Sequence, residues 1–308
     1  MIKRILTIFL AAAAGSVFGL GFYVGNLGDK HPEGGYKTST CPWGRSLHYQ
    51  TDLYRSKPGI ADTIIGRNGQ TIEIDQNLNI GGISSVVSKL IFAKGKTIKL
   101  RDNINLEVKN SKMLFEDCTV EVGKNLEFPF WHKSTYGGIS TLEIVNSKVA
   151  FGGGMICIIP IHPEAKFSGY GGPNIVLKGG SQLYFGTGLV IDEIFHEIPS
   201  SWKCTFKFVP SDGKVPSMAV KGNFTARGIT FEFDTKNAGS IKPGVYTLLN
   251  LMDKDAKFQN SKFFLNGNSY SPGGNFTIGG KQAKIDFGAS PNGKDTATAN
   301  DIILTISK

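Results

Sequence analysis

Beyond about residue 60 the chain consists of short segments in which apolar and polar residues alternate, and few patterns restrict a fold more. Ile72 and Ile74, Ile98 and Leu100, and Ile104, Leu106 and Val108 sit at period two, followed by Cys118, Val120 and Val122. Ile175 and Leu177, then Leu183 and Phe185, continue it. Successive side chains of a strand point to opposite faces, so each segment buries one face and predicts a short β-strand between tight turns. No stretch after the N-terminal segment keeps a helical period beyond two turns. Ser84–Phe92 comes nearest, and a strand fits it as well. Composition agrees: 40% hydrophobic and 19% charged residues exclude a disordered chain, and 39 glycines exclude a helical bundle.

The alternation is organised by an internal repeat. Leu106-Glu107-Val108-Lys109-Asn110-Ser111-Lys112-Met113-Leu114-Phe115 aligns with Leu142-Glu143-Ile144-Val145-Asn146-Ser147-Lys148-Val149-Ala150-Phe151 at six of ten positions. A looser copy runs from Ile175 to Phe185, and a fragment returns at Asn260-Ser261-Lys262-Phe263. Strand, Asn/Gly-Ser corner and strand at a nearly constant period predict a solenoid whose alternate apolar residues stack inward. Asn or Gly at the corner accepts the left-handed backbone that branched residues resist.

These strand–Asn/Gly-Ser–strand repeats, the lack of helices and the N-terminal segment described next resemble secreted right-handed parallel β-helix proteins. More specifically, they resemble the passenger domains of bacterial autotransporter-type surface proteins. The resemblance covers roughly Ala61 to Phe185. Pro243-Gly244-Val245-Tyr246-Thr247-Leu248-Leu249 and Asn300-Asp301-Ile302-Ile303-Leu304-Thr305-Ile306 are similar to the ends of autotransporter-associated β-repeat proteins. Such proteins usually continue into a membrane barrel or a sorting tail, and the sequence reaches Lys308 with neither pattern. The implied fold is all-β: a parallel β-helix (solenoid) with a β-rich capping or sandwich-like C-terminal region.

Met1-Ile2-Lys3-Arg4 precedes the uncharged run Ile5–Gly28, with small residues at Gly15, Ser16 and Gly19. A basic start, a short apolar run and small residues make a secretory signal peptide, cleaved after Ala14 or Gly19. The alternative is an uncleaved anchor, since Ile5–Val24 supplies 20 residues, enough to cross a bilayer. The expected organisation is a signal peptide at 1–19, a linker or N-terminal cap at 20–60, solenoid repeats at 61–190 and a β-rich region at 191–308. The formal charge of +9 falls to about +7 without Lys3 and Arg4, and the positive residues are scattered. Nucleic-acid binders cluster theirs, so the expected partners of this secreted or cell-surface chain are acidic polysaccharide, a cell-envelope polymer or further copies of itself.

Four cysteines in an exported chain allow two bridges in three pairings. If Gly152-Gly153-Gly154 is an insertion, Cys118 and Cys157 occupy equivalent places on neighbouring turns, within disulfide reach. Two buried free thiols fit equally well. No Cys-x-x-Cys occurs, so a metal role is not expected, and no cofactor signature is present.

Catalytic patterns are sparse. His196 lies in Asp192-Glu193-Ile194-Phe195-His196-Glu197, which reads as a polar surface turn, as does His162 beside Pro163 and Glu164. Glycoside hydrolysis requires two carboxylates on one face. Asp-Asp and Gly-His-Gly, typical of glycosidases on this scaffold, do not occur. Asp75, Asp102, Glu107, Asp117 and Glu121 lie near strands, and nothing in their spacing makes them converge on the six to eight oxygens calcium needs. The strongest ligand candidate is the aromatic segment Phe128, Phe130 and Trp131 with Lys133 and Tyr136, either a sugar-stacking platform or a cover for the solenoid flank. The expected function is a non-catalytic structural or adhesive surface protein, with a polysaccharide lyase or glycosidase as the alternative.

Overall fold

A computed structural model describes residues 21–24, 36–37, 43–45, 52–54, 63–67, 71–86, 88–106, 110–128, 136–158, 167–192, 204–222, 224–227, 229–253, 257–259, 261–288 and 300–307. The signal segment at 1–19 lies outside them. The described residues are all β, without a helix, and form three sheets.

The chain visits the sheets in turn. Thr71–Ile74 belongs to sheet I, Leu78–Ile80 to sheet II and Gly82–Val86 to sheet III. Lys89–Phe92, Thr97–Leu100 and Ile104–Leu106 repeat the circuit, each pairing parallel with the strand three before it. The order continues through Lys262–Leu265 in sheet I, Gly244–Leu251 in sheet II and Lys257–Gln259 in sheet III. Ser84–Phe92, the nearest approach to a helix in the sequence, divides between two of these strands. The sheets cross residue 191 without interruption, because Leu189–Asp192 pairs parallel with Phe224–Arg227.

Inward positions carry the alternating apolar residues. Ile72, Ile74, Ile98, Leu100, Ile104, Leu106, Val120, Val122, Ile175, Leu177, Leu183 and Phe185 are all buried in one core. Equal positions on paired strands hold equal rings: Phe151 and Phe185 stack at 5.2 Å between centroids, and Phe208 and Phe233 at 5.7 Å. Such contacts add roughly 0.5–1.5 kcal/mol each beyond area burial.

The corners explain the Asn, Asp and Gly content. At the turn from sheet I to sheet II, Gly95, Asp117, Asn146 and Gly179 have φ of 73°, 50°, 47° and 60°. They form one stack, since each of the first three donates its N–H to the next corner or to the residue before it: Gly95 N–H to Asp117 O, Asp117 N–H to Val145 O and Asn146 N–H to Lys178 O. Beside it the buried Ser147 Oγ accepts the Cys118 N–H at 2.8 Å. At the turn from sheet III to sheet I, Ser111 N–H donates to Ser140 Oγ at 3.2 Å.

This register corrects the alignment of the repeat. Lys112 and Met113 pair with Thr141 and Leu142, so the first and second copies are one strand out of step. Asn110-Ser111-Lys112 and Asn260-Ser261-Lys262 lead into sheet I, whereas Asn146-Ser147-Lys148 and Gly180-Ser181-Gln182 lead into sheet II. The same register separates Cys118 from Cys157. Thr119 pairs with Lys148, which sets Cys118 opposite Ser147, while Cys157 sits in sheet III opposite Ile191. Cys118, Cys157 and Cys204 are buried free thiols, so of the two readings left open for Cys118 and Cys157 the structure has the thiols.

The C-terminal end is antiparallel. Asp301–Ile306 folds back on Gly244–Leu251 and carries Lys281–Gly288 and Asn275–Ile278 beyond it. The two C-terminal segments singled out in the sequence are therefore direct neighbours. Phe258, Phe263 and Phe287 pack against one another at 5.2–6.3 Å over this end of the core.

Candidate functional site: a recess on the outer face of sheet II

The outward positions of sheet II form a row across neighbouring strands. Lys99 pairs with Glu121, Glu121 with Ala150, and Ala150 with Tyr184. Each lies between two inward residues of its strand (Ile98 and Leu100, Val120 and Val122, Val149 and Phe151, Leu183 and Phe185), so strand alternation alone turns it outward. The row runs long, long, short, long. Where Ala150 supplies only a methyl group, a recess of about 360 Å³ opens, lined also by Gly123 and Gly152.

Those glycines are required by space. A Cβ on Gly123 would lie 2.3 Å from Arg101 O, and one on Gly152 would lie 2.6 Å from Gly123 O. The chain turns here from sheet II to sheet III with its backbones too close for any side chain. The next step of this corner is held by asparagine: Asn125 N–H donates to Asn103 Oδ1, and Asn125 Oδ1 accepts from Gly154 N–H, both at 2.9 Å. Asn103 Nδ2 donates to Glu127 Oε1 at 2.8 Å.

Charges around the recess are matched locally. Lys99 Nζ lies 3.2 Å from Glu121 Oε2. At the adjoining corner, Arg101 and Lys124 reach the two oxygens of Asp102 at 2.7 and 2.8 Å. Their hydrogen bonds, Arg101 first, hold the Asp102 carboxyl below its ordinary range. On sheet I, Lys207 bridges Glu232 at 2.9 Å and Asp234 at 3.2 Å.

The residues expected from sequence fare differently. Phe128 is 1% exposed and belongs to the core, so its ring is a packing group and not a ligand platform. Phe130, Trp131 and Lys133 lie outside the described residues. The backbone of Tyr136 opens the strand Tyr136–Val145 of sheet I, and its side chain is outside the described set. His162, His196 and Glu107 are also outside. The acidic residues named above are dispersed: Asp102 occupies the corner between sheets II and III, Asp117 the corner between I and II beside Lys94, and Glu121 the middle of sheet II. Among the described residues, no three His, Cys, Asp or Glu side chains form a metal-binding group.

Lys99, Ala150 and Tyr184 were not singled out by sequence reading. Their signal is a common five-residue form: Thr97-Ile98-Lys99-Leu100-Arg101, Thr119-Val120-Glu121-Val122-Gly123, Lys148-Val149-Ala150-Phe151-Gly152 and Gln182-Leu183-Tyr184-Phe185-Gly186. Stacking these four segments puts the third residues side by side.

Compared with known proteins, the chain matches no family model, no curated protein and no solved structure.

Proposed function

We propose that the chain is an exported parallel β-helix, a β-solenoid of the kind found in autotransporter-type surface proteins, whose role is structural or adhesive. It is secreted or held at the cell surface and binds an extended matrix polymer along the outer face of sheet II without chemically altering it. The observation that carries this reading is the in-register row from Lys99 to Tyr184, with its open recess at Ala150. A flat row crossing successive strands suits a ligand that is itself long and repetitive. The strand order, stepping by three through the middle of every sheet, supports the solenoid assignment. The basic start and apolar run before Gly19 support export.

Co-sedimentation of the purified protein with insoluble envelope polysaccharides tests it, together with a calcium-supplemented assay on acidic polysaccharides. The expected outcome is retention on polymer and no unsaturated product. A calcium-dependent rise in absorbance from cleaved polymer would replace the adhesive reading with a lyase.

A further inference from the structure

We propose that the recess bounded by Lys99, Glu121, Ala150 and Tyr184 is a binding subsite for one uncharged pyranose unit of a neutral polysaccharide. This rests on the polymer-binding reading above and narrows it, because the charge balance suggested by composition favoured an acidic polymer. The local charges argue otherwise. Lys99 is the cation of the recess, and its ammonium already faces Glu121 at 3.2 Å. A uronate carboxylate entering here meets Glu121 as a like charge and must compete with it for Lys99. A sugar hydroxyl faces no such conflict: it accepts from the ammonium and donates to the carboxylate. Arg101 and Lys124, at the neighbouring corner, are likewise engaged with Asp102.

Shape points to the same ligand class. A pyranose has an apolar C–H face and a polar rim. The recess has the matching parts: the partly buried Tyr184 as an aromatic wall, Ala150 and the backbone of Gly123 and Gly152 as a flat floor, and the ion pair at one end. Its volume of about 360 Å³ is at the small end of ligand sites, which run from roughly 300 to 1,000 Å³. That size suits a single ring, with the polymer continuing over the outer face. The floor cannot rearrange easily, since both glycines sit where a Cβ would strike backbone oxygen.

Affinity electrophoresis of the full chain through gels containing hydroxyethylcellulose, laminarin or dextran, with polygalacturonate as the acidic comparison, tests the assignment. Retardation is expected in at least one neutral gel, and it should be insensitive to added salt. Tyr184→Ala and Ala150→Trp should each weaken it by about tenfold, the first by removing the aromatic wall and the second by filling the recess. Tyr184→Phe should keep it within about threefold, and all three variants should melt within a few degrees of the parent. Retardation that survives both Tyr184→Ala and Ala150→Trp overturns the subsite while leaving the polymer-binding reading intact. Salt-sensitive retardation confined to polygalacturonate overturns the neutral-sugar assignment alone. No retardation in any gel overturns both.

Discussion

Asn125 Oδ1 accepts the backbone N–H of Gly154 at 2.9 Å, a bond between residues 29 apart in sequence and adjacent in space. The side chain thus ties one circuit of the sheets to the next beside the backbone bonds Leu126 N–H to Gly154 O and Gly153 N–H to Lys124 O. Asn125→Ala should cost about 1–2 kcal/mol, because a partly buried N–H loses its acceptor. Asn125→Asp keeps an acceptor at the same place and should recover most of the loss. Denaturant midpoints read the difference, with an unchanged slope showing that the native state is otherwise preserved.

Two glycines with different reasons for being glycine should respond in opposite ways. Gly152→Ala drives a Cβ to 2.6 Å from Gly123 O and should destabilise by about 1–3 kcal/mol. Gly95 has φ of 73° with open space around it, so Gly95→Asn, which tolerates that backbone, should be close to neutral. Thermal melts of the two variants side by side would reveal an error in the corner geometry if their order were reversed.

Asp102 makes stability depend on acid. Its carboxyl is held below the ordinary range by Arg101 and then Lys124, so the folded state binds this proton less readily than the unfolded chain. The contribution is present above the unfolded value near pH 4 and disappears as pH falls through the lower folded value. For a partly exposed group it is about 1 kcal/mol or less. Asp102→Asn should therefore lower the midpoint slightly at pH 7 and not at all near pH 2, as urea titrations at the two pH values would show.

The thiols of Cys118, Cys157 and Cys204 should be silent towards Ellman's reagent in the native protein and titrate after denaturation. Burial pushes all three above the usual thiol range, most strongly Cys157 and Cys204. The sign follows: the unfolded chain releases these protons first, so stability is full below about pH 8.5 and declines as pH rises above it. A denatured, unreduced sample yielding no thiols would establish bridges in place of free sulfhydryls.

Alternation was sufficient to locate strands such as Thr97–Leu100 and Thr119–Val122, because burial of one face leaves a period-two trace at Ile98, Leu100, Val120 and Val122. Register was harder to read. Asn-Ser-Lys opens strands in both sheet I and sheet II, since both corners ask for a left-handed residue followed by a small hydroxyl. Identity between Leu106–Phe115 and Leu142–Phe151 therefore joined two different corners. The recess was hidden for a related reason. Lys99, Ala150 and Tyr184 share no residue type, and only the correct stacking of their strands makes them neighbours. Of the two readings of the aromatic segment, Phe128 follows the covering one: at period two from Leu126, it faces the core.

The circuits differ in length, and the longest addition enters between sheet III and sheet I in the middle of the chain. The joins from sheet I to II and from II to III are short at Asn146-Ser147 and Gly152-Gly153-Gly154, and longer from Val209 to Ser217 and from Phe233 to Gly244. The joins from sheet III to sheet I are long from Glu127 to Tyr136, from Ile158 to Phe167 and from Asp192 to Thr205, and short again from Arg227 to Thr230 and from Gln259 to Lys262. Over these three middle circuits, the added length is concentrated in the join from sheet III to sheet I. In sequence, the aromatic segment around Trp131, the His162 segment and the His196 segment fall in these three joins. These three joins can change length and chemistry between descendants of this chain without altering the parallel pairings of sheet II from Thr97–Leu100 to Gln182–Phe185, so the outer row and the variable segments are free to diverge separately.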